Sequence, residues 1–154
     1  MIILLSLLCS AFFSGMEIAF VSSNRLNLEI EKKQKGLIPK LLSIITKDPS
    51  RFISTMLIGN SFALVIYGLF MGQFIVDNLS FLFLPSMNEL TVLLLQTIIS
   101  TLLILIAAEF IPKVLFQIYS NFSMKIFSIP AYIFYIILYP LTSLVTIISN
   151  FILK

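Results

Sequence analysis

Four long stretches of this chain, roughly 1–23, 52–76, 90–112 and 126–153, are almost continuously apolar, and short polar segments separate them. No charged side chain lies between Arg51 and Asp77, or between Glu89 and Glu109. A helix needs roughly 20 such residues to cross a hydrocarbon core of about 30 Å. Runs such as Leu102-Leu103-Ile104-Leu105-Ile106 lack the alternation of a membrane β-barrel strand. The pattern therefore predicts an all-α integral membrane domain with at least three crossings. Within 25–51, Leu26, Ile30, Leu37, Leu41, Leu42 and Ile45 predict amphipathic helices lying along a membrane surface, broken at Gly36 and Pro39.

Composition agrees. Hydrophobic residues make up 59% and charged residues 11% of the 154, and mean hydropathy is +1.09, whereas soluble domains carry about 25% charged residues. The single cysteine, Cys9, excludes an internal disulfide, and the absence of histidine argues against zinc, copper or haem. No basic residue precedes Arg25, so the N-terminal stretch reads as a retained helix rather than a signal peptide.

Charge orients the spans. Residues 25–51 hold seven of the ten basic residues and three of the seven acids. Short loops rich in Lys and Arg stay in the cytoplasm, which predicts an external N-terminus. The segment 77–89 carries Asp77, Glu89 and Pro85 but no Lys or Arg, as an external loop should. The fourth stretch stays open. Pro130 and Pro140 interrupt it, so it either crosses, as its hydropathy mildly favours, or folds into a bent pair of helices on the inner surface.

Polar groups inside a membrane helix are costly and mark candidate sites. Glu17, Asn60 and Glu109 fall in the first three spans, each beside an expected backbone irregularity: Ser14-Gly15, Gly59 and Pro112. Pro112 lacks an N–H, which should leave the Ala108 carbonyl without its helical partner. Ser14-Gly15 can interrupt the first helix in the same way. At 1.5 Å per residue, Ser14, Asn60 and Glu109 lie about 10, 13 and 6 Å from the inner boundary, so the three converge in the cytoplasmic half. The donors are all oxygen, which suits magnesium, sodium or calcium alike. Plainer roles exist: Glu109 pairing with Lys113, Glu17 with Arg25 or another loop cation, Asn60 bonding another helix, and Gly68-x-x-x-Gly72 packing or dimerising. Asn78-Leu79-Ser80 and Asn121-Phe122-Ser123 match glycosylation sequons as easily by chance. No enzyme motif and no internal repeat is present, and no nucleic-acid partner is expected.

The motifs Phe13-Ser14-Gly15-x-Glu17 with Arg25-Leu26, then Leu57-Ile58-Gly59-Asn60, then Glu109-x-x-Pro112-Lys113 resemble the transmembrane domain of the CorC / cyclin M (CNNM) magnesium transporters. Their order and position on three successive spans make the likeness specific, and it covers essentially the whole chain. The resemblance implies a homodimer with three crossing helices per protomer, and inner-surface helices at about 25–47 and 126–153. It also implies a cytoplasmic C-terminus leading to CBS domains, and location in the cell (inner) membrane. It further implies a magnesium ion in an inward-facing cavity, exported in exchange for sodium. The ion would meet Ser14, Gly15, Asn60, the Ala108 backbone and Glu109, with Glu17, Gly59 and Pro112 in support. Three positions depart from the family pattern. Ala108 is commonly glycine there, Met16 commonly a small polar residue, and Ile18 often a hydroxyl. The other reading is a non-transporting, magnesium-binding anchor or sensor for cytoplasmic domains.

Overall fold

A computed structural model describes residues 1–78 and 88–152, the side chains of 146 and 148–152 aside. Pro85, Leu79-Ser80 and Lys154 lie outside the described residues. Among those described, the chain is helical and contains no strand. Helix α1 (Ile2–Ser22) precedes two short helices, α2 (Arg25–Lys32) and α3 (Leu37–Ile45). Then come α4 (Pro49–Asn78) and α5 (Glu89–Ile104), and α5 continues through a π-helical turn (Leu105–Phe110) into α6 (Ile111–Ile118). Helices α7 (Ser120–Ile126), α8 (Ser128–Ile137) and α9 (Tyr139–Ile152) complete the order.

Among the described residues, three helices are long and apolar enough to cross a membrane: Ile2–Ser22, Pro49–Asn78 and the continuous Glu89–Ile118. The last two run beyond the expected 52–76 and 90–112. Each has 30 residues, or about 45 Å, half as long again as the hydrocarbon core. Lys113 consequently stands inside a helix instead of ending one.

Local chemistry sets the breaks. Gly36 has φ 146°, a region that L side chains rarely adopt, and it separates α2 from α3. Pro39 does not break the chain, contrary to expectation. It lies in the first turn of α3, where the backbone N–H would have no helical partner in any case. Pro49, Pro130 and Pro140 likewise fall in the first turns of α4, α8 and α9, whereas Pro112 lies inside the continuous helix, just past the π turn. The fourth apolar stretch is therefore no single rod: α8 and the Tyr139–Val145 part of α9 meet at 65°.

Helix α1 is the spine. It packs along α4 on one side and against the π turn, α6 and α7 on others. At the end where α1 finishes and α4 begins, Phe13, Met16, Leu42, Phe52, Met56 and Met124 belong to one buried cluster. At the opposite end Tyr67, Met71 and Ile75 form a smaller one. Helix α5 carries no buried residue. Leu90, Leu94 and Ile98 stand exposed along it, a surface suited to lipid rather than water.

The short helices are tied to the end where α1 meets α4, called here the basic end. Asn24 caps α2 by accepting from the backbone N–H of Leu26 at 2.9 Å, and its own N–H donates to Asn121 Oδ1 at 3.0 Å. The Asn121 sequon is thus half of a structural clamp. Lys125 pairs with Glu31 at 3.0 Å. Arg51 of α4 donates to the Tyr139 hydroxyl at 3.2 Å, with its guanidinium 4.8 Å from that ring's centre. The hydroxyls of Thr55 and Thr142 lie 3.1 Å apart in the interior. These contacts hold α7 to α9 against the basic end, so the fourth stretch is packed there over at least part of its length.

Candidate functional site

Two glycines bring three helices together. A Cβ on Gly59 of α4 would stand 2.5 Å from the Phe13 ring of α1, and one on Gly15 would stand 2.7 Å from the Phe116 ring of α6. Both helices run unbroken through these positions. The expected interruption of α1 at Ser14-Gly15 is therefore absent: these glycines allow close approach, not unwinding.

The third irregularity is real but takes another form. Ahead of Pro112 the backbone widens to a π turn, in which Ile111 N–H bonds the Ile106 carbonyl, five residues back. A proline removes one donor from the α ladder, and shifting to five-residue bonding is one way to accommodate it; such turns occur often at functional sites. Ala108 is fully buried in this turn.

Ser14 is fully buried, and its hydroxyl oxygen has no hydrogen-bond partner among the described residues. A hydroxyl shut away unpaired costs about 1–3 kcal/mol, so it marks a position with a polar requirement of its own. One turn before it, Ser10 donates to Asn60 Oδ1 at 2.6 Å. Nearly one turn after it lies half-buried Glu17, whose carboxylate is within electrostatic reach of Lys113 and Glu109. Glu109 and Lys113 are 3.7 Å apart, with side chains 31% and 41% exposed. Glu17 makes no ion pair with Arg25 among the described residues; the cation nearest in effect is Lys113.

The structure thus brings Asn60 to Ser10 and sets Glu17 within electrostatic reach of Glu109 and Lys113, with Ser14 between Ser10 and Glu17 on one face of α1. It shows no hydrogen bond joining Ser14 to Asn60 or Glu109. Among the described residues, no three acidic, cysteine or histidine side chains gather, so a cation here would depend largely on neutral oxygens.

The model of the cyclin M transmembrane N-terminal domain, CNNM, matches residues 1–154. The chain belongs to the CNNM family. It is also 30% identical over 145 residues to the UPF0053 protein MG146 homolog of Mycoplasma pneumoniae, covering 90% of this chain and 32% of that protein. The chain therefore spans about a third of the length of this relative.

In this CNNM domain, sequence reasoning overlooked Ser10. The signal was present: Ser6, Ser10 and Ser14 recur every four residues, and all three are buried, forming a polar stripe along α1. Only the partner helix reveals that Asn60 is what the stripe meets. Replacing Ser10 and Asn60 by alanine, singly and together, should give a coupling energy of about 0.6–1 kcal/mol in thermal unfolding, typical of hydrogen bonds between membrane helices. Additive single effects would remove the bond from the account.

Proposed function

We propose that this CNNM domain moves magnesium across the membrane, taking it as cargo at the face of α1 that carries Ser10, Ser14 and Glu17. The observation that carries the reading is the buried, unpartnered Ser14 oxygen, flanked by an amide carbonyl on one side and carboxylates on the other. Magnesium takes hard oxygen ligands in octahedral order and is usually bound through one or two carboxylates. Ser14 Oγ, Asn60 Oδ1, backbone oxygen at Gly15 and Ala108, and the Glu109 carboxylate supply that donor set. Glu17 adds field, while Gly59 and Pro112 shape the helices that present it.

Ser14 Oγ stands free for a ligand, and two of the other donors are occupied in a way that loading would reverse. Asn60 holds the Ser10 proton and Glu109 holds Lys113, so an arriving cation takes over from a hydrogen bond and from an ion pair. A carboxylate that trades one cation for another never stands uncompensated in low dielectric, where an unpaired charge is expensive. The basic segment 25–51 supports an orientation with α1's C-terminal end in the cytoplasm and its N-terminus outside, in the cell (inner) membrane. Ions are loaded from the cytoplasmic side through an inward-facing cavity and exported against sodium. A homodimer and C-terminal CBS domains complete the working protein.

The contrasting reading is an anchor or sensor that does not transport, and two contacts favour it: the Glu109–Lys113 pair and the Ser10–Asn60 bond already satisfy two of the donors. Proteoliposomes loaded with a magnesium-sensitive dye separate the readings. Transport predicts magnesium flux that Ser14→Ala and Asn60→Ala weaken without altering assembly. Absence of flux in well-folded wild-type protein, with bound magnesium retained, selects the anchor.

A further inference from the structure

Apart from the cargo site, a recess of about 400 Å³ opens at the basic end between the end of α1, helix α2 and the start of α4. Its walls are of two kinds. Phe20, Val21, Leu28 and Ile53 are apolar, whereas Arg25, Glu29 and Lys32 line its polar part. Val21 is 63% exposed, so the apolar wall is open rather than closed over by the chain.

The charges are uneven. Lys32 donates to Glu29 at 2.6 Å, and that hydrogen bond holds the Glu29 carboxyl below the usual carboxylate range. The acid is therefore ionised and answered by Lys32. Arg25 forms no ion pair among the described residues, which leaves the recess with a net cation. It also sits within the segment that carries seven basic and three acidic residues.

We propose that this recess binds an anionic phospholipid of the adjoining leaflet, with its phosphate at Arg25 and Lys32 and its acyl chain over Val21, Phe20 and Ile53. Two observations fit a lipid better than a water-soluble phosphate. The apolar wall is formed by the ends of two membrane-crossing helices, so it continues into hydrocarbon. The cations lie on α2, which starts just past the end of the membrane-crossing α1, and Lys or Arg near a membrane surface adds attraction to anionic lipid. Arginine's planar fork also suits a phosphodiester. The proposal takes from the preceding section only which leaflet is meant, and its test involves no transport.

The chain is purified, exchanged into mixed micelles of equimolar phosphatidylglycerol and phosphatidylcholine, and its retained lipids are counted by native mass spectrometry. Phosphatidylglycerol should be retained about tenfold or more over phosphatidylcholine. Arg25→Gln with Lys32→Gln should bring the ratio close to one, while Lys33→Gln with Lys35→Gln, which removes equal charge outside the recess, should leave it high. Arg25→Gln alone, at an exposed position, serves if the double variant assembles poorly, and should lower the ratio several-fold. Equal retention of both lipids overturns the proposal, as does an equal fall in the Lys33/Lys35 variant. Displacement of the bound lipid by glycerol phosphate at matched concentration overturns it too, because the acyl wall would then contribute nothing.

Discussion

Glu109→Gln should lower magnesium flux in proteoliposomes at least tenfold while the protein still folds and assembles. Losing even the outer hydrogen-bond partner of a metal ligand typically costs 10–100-fold in affinity or activity, and a ligating carboxylate should cost no less. The confounding partner is Lys113, 3.7 Å away, which the substitution leaves unpaired. Glu109→Gln combined with Lys113→Met removes that stray cation. If Glu109 served only to neutralise Lys113, the double variant would regain wild-type flux; a cargo ligand predicts that it stays low. Recovery in the double variant would therefore end the magnesium-site reading of Glu109.

Gly59→Ala and Gly68→Ala, two identical changes nine residues apart on α4, should act in opposite directions. At Gly59 the added carbon would stand 2.5–2.7 Å from three atoms of the Phe13 ring. That ring has little room to retreat, being only 4% exposed and packed at 4.8 Å against Phe134 and 5.5 Å against Phe12. Overpacking of this kind costs about 1–3 kcal/mol. At Gly68 nothing lies within 4 Å of the new carbon, and alanine is the better helix former by about 0.8–1.0 kcal/mol. Thermal unfolding in detergent should fall for the first variant and hold or rise for the second. Phe13→Leu should partly rescue Gly59→Ala; failure of that rescue would place the clash elsewhere.

Much of the fold was legible because hydrocarbon imposes a length. Segments 1–23, 52–76 and 90–112 each supply enough uncharged residues to cross, and all three are helices long enough to do so. Gly36 was legible for a similar reason, since a glycine between two amphipathic patterns has few other uses. Proline was less informative. Pro39 and Pro112 both lack a donor, yet the first merely opens a helix while the second follows a π turn. The difference lies in what precedes them, a glycine break in one case and a continuous helix in the other.

The site was half legible. Polar residues in apolar runs drew attention to Ser14, Asn60 and Glu109, because burial makes such groups costly wherever they point. The Glu109–Lys113 pair, one turn apart on one helix, was readable; partners on other helices were not, since such partnership depends on helix rotation and register. Asn60 met Ser10 rather than Ser14, and Glu17 made no ion pair with Arg25 among the described residues. Gly15 and Gly59 were expected to make their helices irregular and instead sit in unbroken helix against a ring, because glycine marks both flexible and tightly apposed backbone and only the neighbouring ring decides between them.

The rings at the two glycines are also connected. Phe116, which faces Gly15, stacks on Phe127 at 5.2 Å; Phe127 meets Phe12 at 6.0 Å; Phe12 and Phe134 meet at 5.7 Å; and Phe134 reaches Phe13, the ring against Gly59. Phe127 and Phe134 lie at the start of α8 and within it, on the segment that leads away from the spans. Tilting that one helix would slacken or tighten both helix seams at once, as a single tuning peg strains two strings. Lesions at Gly15 and Gly59 should consequently interact instead of adding.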